Sequence, residues 1–215
     1  MSDEYETLLV EADGPILWVR LNRPEVLNAY TNTMGAELVR AIKRADGDDG
    51  IKVVVLTGAG NGFCSGGSVH GIIAKLLEMT AEEQLRFITL TCAVVKNMRA
   101  LKKPIIAAVN GIAAGAGTML ALASDIRLLS ERAKFTFLFT KVGLSGADMG
   151  ACYLLPRIVG HGHAAELLFT GDTIDAQECL RIGLANRVVE HDKLLDEAYG
   201  LARRFCGFAA ISSLI

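Results

Sequence analysis

Two stretches constrain the fold more than any others. Val53 to Thr57, "VVVLT", and Ile105 to Val109, "IIAAV", are almost wholly apolar runs of strand length. Each leads at once into a glycine-rich loop, "GAGNGFCSGGS" and "NGIAAGAG". A strand wetted on one face alternates apolar with polar residues, so a continuous apolar run implies a strand covered on both faces. Both runs are therefore expected inside a sheet with helices on its two sides. "ILWVRLN" (16–22) reads as a further strand, ended by Arg23-Pro24. Leu38 and Ile42 mark the buried face of a helix from Met34 to Ala45, and 46–50 is a polar turn. Thr80 and Glu83 have capping-box spacing and open a long helix reaching about Ala100.

The second half continues the alternation. A helix is expected from Thr118 to Ala123, then strand-like "DIRLL" and "KFTFLF". Helical patterns follow from Met149 onward, from Gly162 to Thr170 and from Asp175 to Ile182, the last with Asp175 as cap and Gly183 as stop. "LANRVV" is a last strand, and a charged amphipathic helix begins near Asp192. No linker divides the chain, so the class is α/β. With 215 residues, 51% of them hydrophobic, the chain can bury one sizeable core.

Bulk properties exclude several functions. The net charge is -2 and no basic stripe exists, so nucleic acid is not an expected partner. Five scattered cysteines without C-x-x-C spacing argue for a reducing compartment and against a disulfide framework or zinc site. The N-terminal "MSDEYETLLVEADG" lacks the apolar core of a signal peptide. A cytoplasmic location is expected. Residues 105–123 are uncharged over nearly a membrane span, but Asn110, Gly111, Gly115 and Gly117 break them into strand, turn and helix. No membrane partner is expected.

The glycine loops carry the candidate chemistry. Neither is a dinucleotide fingerprint: Phe63 and Leu120 stand where the third glycine belongs. One reading remains chemical, an oxyanion hole built from two backbone N–H groups. One comes from around Gly66-Gly67 and the other from Ala116 or Gly117, where a helix starts. The other reading is that these glycines only permit close packing. A third stretch, "GLSGADMGA" (143–151), holds one charge among small and apolar residues. Asp148 could be a helix cap or a catalytic base. Ser145 could be a nucleophile, because residues 143–147 fall one short of G-x-S-x-G and His161, His163 and His191 lie downstream.

Taken together, "LNRPEVLNAY" (21–30), "VVVLTGAGNGFCSGG" (53–67), "KPIIAAVNGIAAGAG" (103–117), "ALASDIRLLSERAKF" (121–135), "LPRIVG" (155–160) and "ELLFTGDTIDAQECLRIGLANRVV" (166–189) resemble the enoyl-CoA hydratase/isomerase family, the crotonase superfamily. The resemblance implies a crotonase-like spiral of repeated β-β-α units over 1–190. It also implies a C-terminal helical region of which 191–215 is only the start, so a truncated tail is expected. It implies an acyl-CoA thioester substrate, an enolate-like intermediate, and no cofactor beyond the coenzyme A of the substrate. Trimers or hexamers are the family's assembly, and a short tail is expected to loosen it. The oxyanion donors implied are Gly67 and Ala116, with coenzyme A beside Leu27 and Ala29.

The same resemblance exposes a departure. Family hydratases place two glutamates at the positions held here by Met119 and Phe139. Adding water needs groups that deprotonate it and protonate carbon; methionine and phenylalanine do neither. Asp148, eight residues before Pro156, matches the acid of family isomerases when counted back from that proline. A lone carboxylate suits a proton-shifting isomerisation of an enoyl-CoA. Hydration or ring modification with non-standard residues, acyl-CoA binding without catalysis, and serine hydrolysis through Ser145 are the alternatives. Gly66, His70, Met119 and Phe139 are further candidate substrate contacts, and Phe139 is also a core candidate. Asp125 of "SDIR" is read as structural.

Overall fold

The computed structural model describes residues 4–67 and 78–207. The ten strands described form two sheets. The larger has the order β1-β2-β3-β5-β7-β10 and the smaller β4-β6-β8-β9. Here β1 is Leu8–Asp13, β2 Ile16–Leu21, β3 Val53–Gly58, β4 Gly62–Cys64, β5 Ile105–Val109, β6 Ile112–Ala114, β7 Ile126–Ser130, β8 Lys134–Thr136, β9 Thr173–Asp175 and β10 Arg187–Val189. Three pairs, β3/β4, β5/β6 and β7/β8, each contribute one strand to each sheet. The strands β3, β5 and β7 pair in parallel, as do β4, β6 and β8. Each repeat therefore moves one position along both sheets, which is the spiral of β-β-α units expected from the sequence.

The continuous apolar runs have the predicted surroundings. In β3, Val54 and Leu56 face one core together with Met34, Leu38, Ala41 and Ile42 of helix α1 (Asn32–Gly47). Val53 and Val55 face a second core together with Leu194, Ala198, Leu201 and Ala202 of helix α7 (Leu194–Cys206). Alternate side chains leave a strand on opposite faces, so both faces are dry. Thr31 caps α1, its hydroxyl accepting the Met34 N–H. Thr80 and Glu83 form the full capping box of helix α2 (Ala81–Ala100).

Residues 105–123 resolve into β5, β6 and helix α3 (Ala116–Ala123), not a membrane span. No described helix is long and apolar enough to cross a membrane. All five cysteines are free. Asp125 is structural, as expected: its carboxylate accepts the Ile105 N–H at 2.8 Å and pairs with Arg99 at 2.9 Å, tying β5 to β7. Beside it, Arg127 donates to the carbonyls of Leu184, Ser124 and Ala121 from a buried position. Desolvation pulls its guanidinium pKa down to about 10.

Three local expectations need correction. Strand β1 was not foreseen; it pairs antiparallel with β2 across a turn at Gly14, whose φ is +56°. Glu11 and Asp13 on its water-exposed face interrupt the apolar signal, and only Leu8 of the strand is fully buried. Buried Glu37 of α1 holds the chain just before β1, accepting the Glu6 N–H, the Thr7 N–H and the Thr7 hydroxyl. Second, "KFTFLF" is a strand only to Thr136; the chain then turns, and Phe139 begins a short 3-10 turn at Thr140–Val142. Third, no α-helix starts at Met149. Asp148–Gly150 is a separate 3-10 turn, and helix α4 (Ala151–Val159) follows it. Helices α5 (His161–Thr170) and α6 (Ala176–Arg181) stand close to the expected ranges, α6 with Asp175 as its N-cap.

Candidate active site

The two glycine loops leave the carboxyl ends of neighbouring parallel strands, β4 and β6, where sites in parallel sheets are commonly built. Their backbones touch. A methyl group on Gly66 would lie 2.9 Å from the Ala114 carbonyl oxygen, and one on Gly117 only 2.2 Å from that of Cys64. Only glycine permits this approach, so the packing reading of these residues is correct. It also serves the chemical one, because close packing brings the two loops' N–H groups to one place. Gly115 precedes α3 with φ +47° and ψ −113°, and its N–H donates to the Thr136 carbonyl.

Two asparagines hold the approach to this loop. Asn28 is buried in a left-handed conformation, φ +56°. Its side chain accepts the Arg23 N–H and donates to the carbonyls of Ala59 and Gly62. Asn110 donates to Gly60 and Gly62 and accepts the Gly58 N–H. Together they fix Gly58–Gly62, and hence the start of β4.

The Tyr30 N–H donates to the Gly66 carbonyl at 2.7 Å, within a parallel bridge between Tyr30 and Gly67. The bridge hydrogen bond uses the Gly66 carbonyl and not the Gly67 N–H. Among the described residues neither the Gly67 nor the Ala116 N–H has an acceptor. Both residues line one cavity of about 220 Å³. Ala116 is also the first residue of α3, so the positive end of the helix dipole faces the same space.

Asp148 lines this cavity too. Met149 and Gly150 both have positive φ, +50° and +86°. This unusual pair turns the chain before α4, and strain of this kind concentrates at functional sites. Gly150, not Asp148, occupies the N-cap of α4, and no side chain caps it. The cap reading is therefore corrected: the Asp148 carboxylate accepts the N–H of Met149 at 2.9 Å instead. Desolvation pushes its pKa above the ordinary carboxylate value, partly offset by that N–H.

Apart from Ser65 and Thr91, the rest of the wall is mostly apolar. Phe87 of α2, Leu138, Phe139, Val142, Leu144, Met149 and the Tyr30 side chain form it. Phe139 lies 2% exposed in the core and also lines the cavity. Met119 does not line the cavity. It is fully buried in the main core, because one turn into α3 its side chain packs under the helix. Gly66 is also buried, behind the wall formed by Ser65 and Gly67. Leu27 is 43% exposed. Its carbonyl accepts the Ser65 N–H, and the Ala29 carbonyl accepts Arg23. Each carbonyl keeps a second lone pair on the segment running into Tyr30. His70 lies outside the described residues.

Ser145 is not built as a nucleophile. It is exposed, its hydroxyl accepts the Ala147 N–H, and it does not line the cavity. Among the described residues no histidine bonds it; His191 pairs with Ser130 at 3.0 Å. Sequence reasoning missed Tyr30, Ser65, Phe87, Thr91, Gly115, Leu138, Val142, Leu144 and Met149 as wall residues. Phe87 and Thr91 are four apart on α2, so the helical period carried a signal for that pair. Val142 and Leu144 sit in an irregular loop with no period to read.

In this spiral fold, Gly67 and Ala116, whose backbone N–H groups lack an acceptor among the described residues, line one largely apolar cavity together with a single carboxylate, Asp148. The family model for enoyl-CoA hydratase/isomerase matches residues 11–213. A Mycobacterium tuberculosis protein named as a probable enoyl-CoA hydratase, EchA12, is 41% identical over 207 residues, 94% of this chain and 72% of that protein. The 1,2-epoxyphenylacetyl-CoA isomerase of Escherichia coli is 38% identical over 204 residues, 92% of this chain and 75% of its own. A solved structure from Streptomyces coelicolor, named among the enoyl-CoA hydratases, superposes with a TM-score of 0.91 at 45% identity, covering 95% of this chain and 74% of that one. The chain belongs to the enoyl-CoA hydratase/isomerase family.

Proposed function

We propose that this chain isomerises an enoyl-CoA by shifting a proton, with Asp148 as the acid/base and the Gly67 and Ala116 N–H groups as the oxyanion hole. One observation carries the reading: Asp148 is the only charged side chain among the described residues lining the cavity that both donors share. The thioester carbonyl oxygen accepts from the two N–H groups. Asp148 removes a proton from the carbon chain, and the electron pair moves toward that oxygen as the double bond migrates. The same carboxyl group then returns the proton two carbons away. Each backbone donor contributes about 3 kcal/mol of transition-state stabilisation. The raised Asp148 pKa makes it the stronger base for an acidic C–H.

Hydration is the second reading, favoured by the names of several relatives. Against it stand Met119 and Phe139 at the two glutamate positions, the first sealed in the core. Turnover of 3-enoyl-CoA and 2-enoyl-CoA by wild type and Asp148→Asn separates the two. Isomerisation is expected to fall by about 10²–10⁴ in kcat with little change in KM. Hydration of 2-enoyl-CoA that survives Asp148→Asn overturns the isomerase mechanism.

A further inference from the structure

Gly66 and Gly67 have no side chains to anchor them, and glycine backbones are the freest of all. Whatever holds the Gly67 N–H in place must therefore act on this loop from outside. Segment 26–30 does so. The Ser65 hydroxyl donates to the Val26 carbonyl at 3.1 Å, and the Ser65 N–H donates to the Leu27 carbonyl at 3.0 Å. Next along the loop the contact narrows to one isolated bridge between Tyr30 and Gly67, carried by the Tyr30 N–H on the Gly66 carbonyl. No ladder of neighbouring strand bonds supports it, so its geometry depends on how residue 30 is held.

Tyr30 is held by its side chain, which is 1% exposed. The hydroxyl fits a notch in α1. A methyl group on buried Gly35 would lie 2.2 Å from the hydroxyl oxygen, 3.0 Å from the ring carbon that bears it and 3.6 Å from Val94 of α2. The hydroxyl has no hydrogen-bond partner among the described residues. With nothing to bond, it contributes shape: it fills the notch and stops the ring from sliding toward α1. Neither half of the pair is favoured by the fold alone. Glycine is a poorer helix residue than alanine, and an unpaired buried hydroxyl is destabilising.

We infer that Tyr30 is a positioning residue: seated against Gly35, it fixes residue 30, and through the bridge to Gly66 and Gly67 it sets the place of the Gly67 N–H. This role rests on the oxyanion assignment of Gly67 proposed above and deepens it. The linkage is stiff, because only two side-chain torsions and a rigid ring separate the notch from the backbone that makes the bridge.

A mutant cycle of Tyr30→Phe, Gly35→Ala and the double variant tests this. Values of kcat and KM are measured on whichever of 3-enoyl-CoA and 2-enoyl-CoA the wild type turns over, at a temperature where melts show each protein folded. Gly35 lines neither the cavity nor the glycine loops. Its methyl group forces the tyrosine or the helix to give way by roughly 1 Å to regain ordinary contact. A shift of about that size in a positioned group can cost about a hundredfold in rate. Gly35→Ala is expected to lower kcat by about tenfold or more with little change in KM, since an oxyanion donor acts chiefly in the transition state. Tyr30→Phe empties the notch and frees the ring, so kcat is expected to fall by about threefold or more. The double variant largely refills the notch from the other side, and its kcat is expected to exceed that of either single variant. Independent losses that multiply overturn the inference. An undiminished kcat in Tyr30→Phe overturns it too; that side chain needs no extra room, so this arm stands even where Gly35→Ala fails to fold. Changes confined to Tm or KM also overturn it, leaving the pair a role in folding or cavity shape alone. Turnover of neither thioester by the wild type overturns the underlying oxyanion reading instead.

Discussion

At the residue scale two side chains hold more free energy than their surroundings require. Asp148 has a folded-state pKa raised by burial. A carboxyl group of this kind adds stability below its unfolded pKa, and that contribution is lost as pH rises through the folded value. Asp148→Asn is therefore expected to unfold at a higher temperature than wild type near pH 7. The difference should shrink as pH falls through the raised folded-state pKa of Asp148 and below the ordinary carboxylate value. Calorimetric melts across that range check it; a wild type that is more stable at pH 7 would show that the carboxylate has a partner. Stability gained as activity is lost is the trade expected at a strained, desolvated site. Tyr30 is the second case. Its buried hydroxyl has no partner among the described residues, and an unpaired buried hydroxyl costs about 1–3 kcal/mol. Tyr30→Phe is expected to raise Tm by roughly 2–4 °C per kcal/mol recovered. A lower Tm would reveal a hydrogen bond, for example to an ordered water.

At the element scale the site depends on two loops placed by distant strands. Asn28 sits after β2 but holds carbonyls that follow β3. Asn28→Ala removes three hydrogen bonds, leaves the part-buried Ala59 carbonyl and the Arg23 N–H without that partner, and puts alanine at positive φ. The expected cost is about 3 kcal/mol. Because the released segment leads into β4 and Gly67, kcat should fall even at temperatures where the variant is folded. Full activity in a folded Asn28→Ala protein would mean that the Gly66–Ala114 backbone contact suffices to position the donor. The start of α4 shows why element boundaries were harder to read than element types. "GADMGA" has a cap-like aspartate before an apolar run, yet Met149 takes a left-handed conformation that no local pattern announces. Strand β1 failed for the opposite reason: its period of two is present, but acidic residues dominate its outer face.

At the scale of the whole molecule one sheet joins two cores, and the second depends on α7. Ala198 is fully buried in the cluster with Val55, Ile106 and Leu128. Ala198→Asp places an unpaired carboxylate there, at an expected cost of about 3–5 kcal/mol, a large fraction of the roughly 5–15 kcal/mol that holds a domain. Loss of the cooperative melting transition or of soluble protein is expected, whereas Glu197→Gln, one residue earlier on the exposed face, should change Tm little. Equal behaviour of the two variants would show that α7 does not seal the sheet. Since β3 and β5 carry side chains of both cores, damage at α7 should also reach the glycine loops that follow them.

The repeat entered only through the family resemblance, whereas the sequence alone determined the α/β class and the positions of the glycine loops. Those rest on local rules: continuous apolar runs mean strands dry on both faces, and capping boxes and glycine stops punctuate helices. It also carried the absence of carboxylates at residues 119 and 139 and the presence of one at 148. Only the tertiary structure decided which of these meet. Met119 and Phe139 looked equivalent as vacated acid positions, yet helix packing buries one and leaves the other against the cavity. Asp148 enters that cavity through a backbone turn at Met149 and Gly150, and Ser145, three residues away, is left in solvent. Convergence of this kind depends on contacts between loops far apart in the chain, such as Gly117 on Cys64 and Gly66 on Ala114, and no local period encodes them.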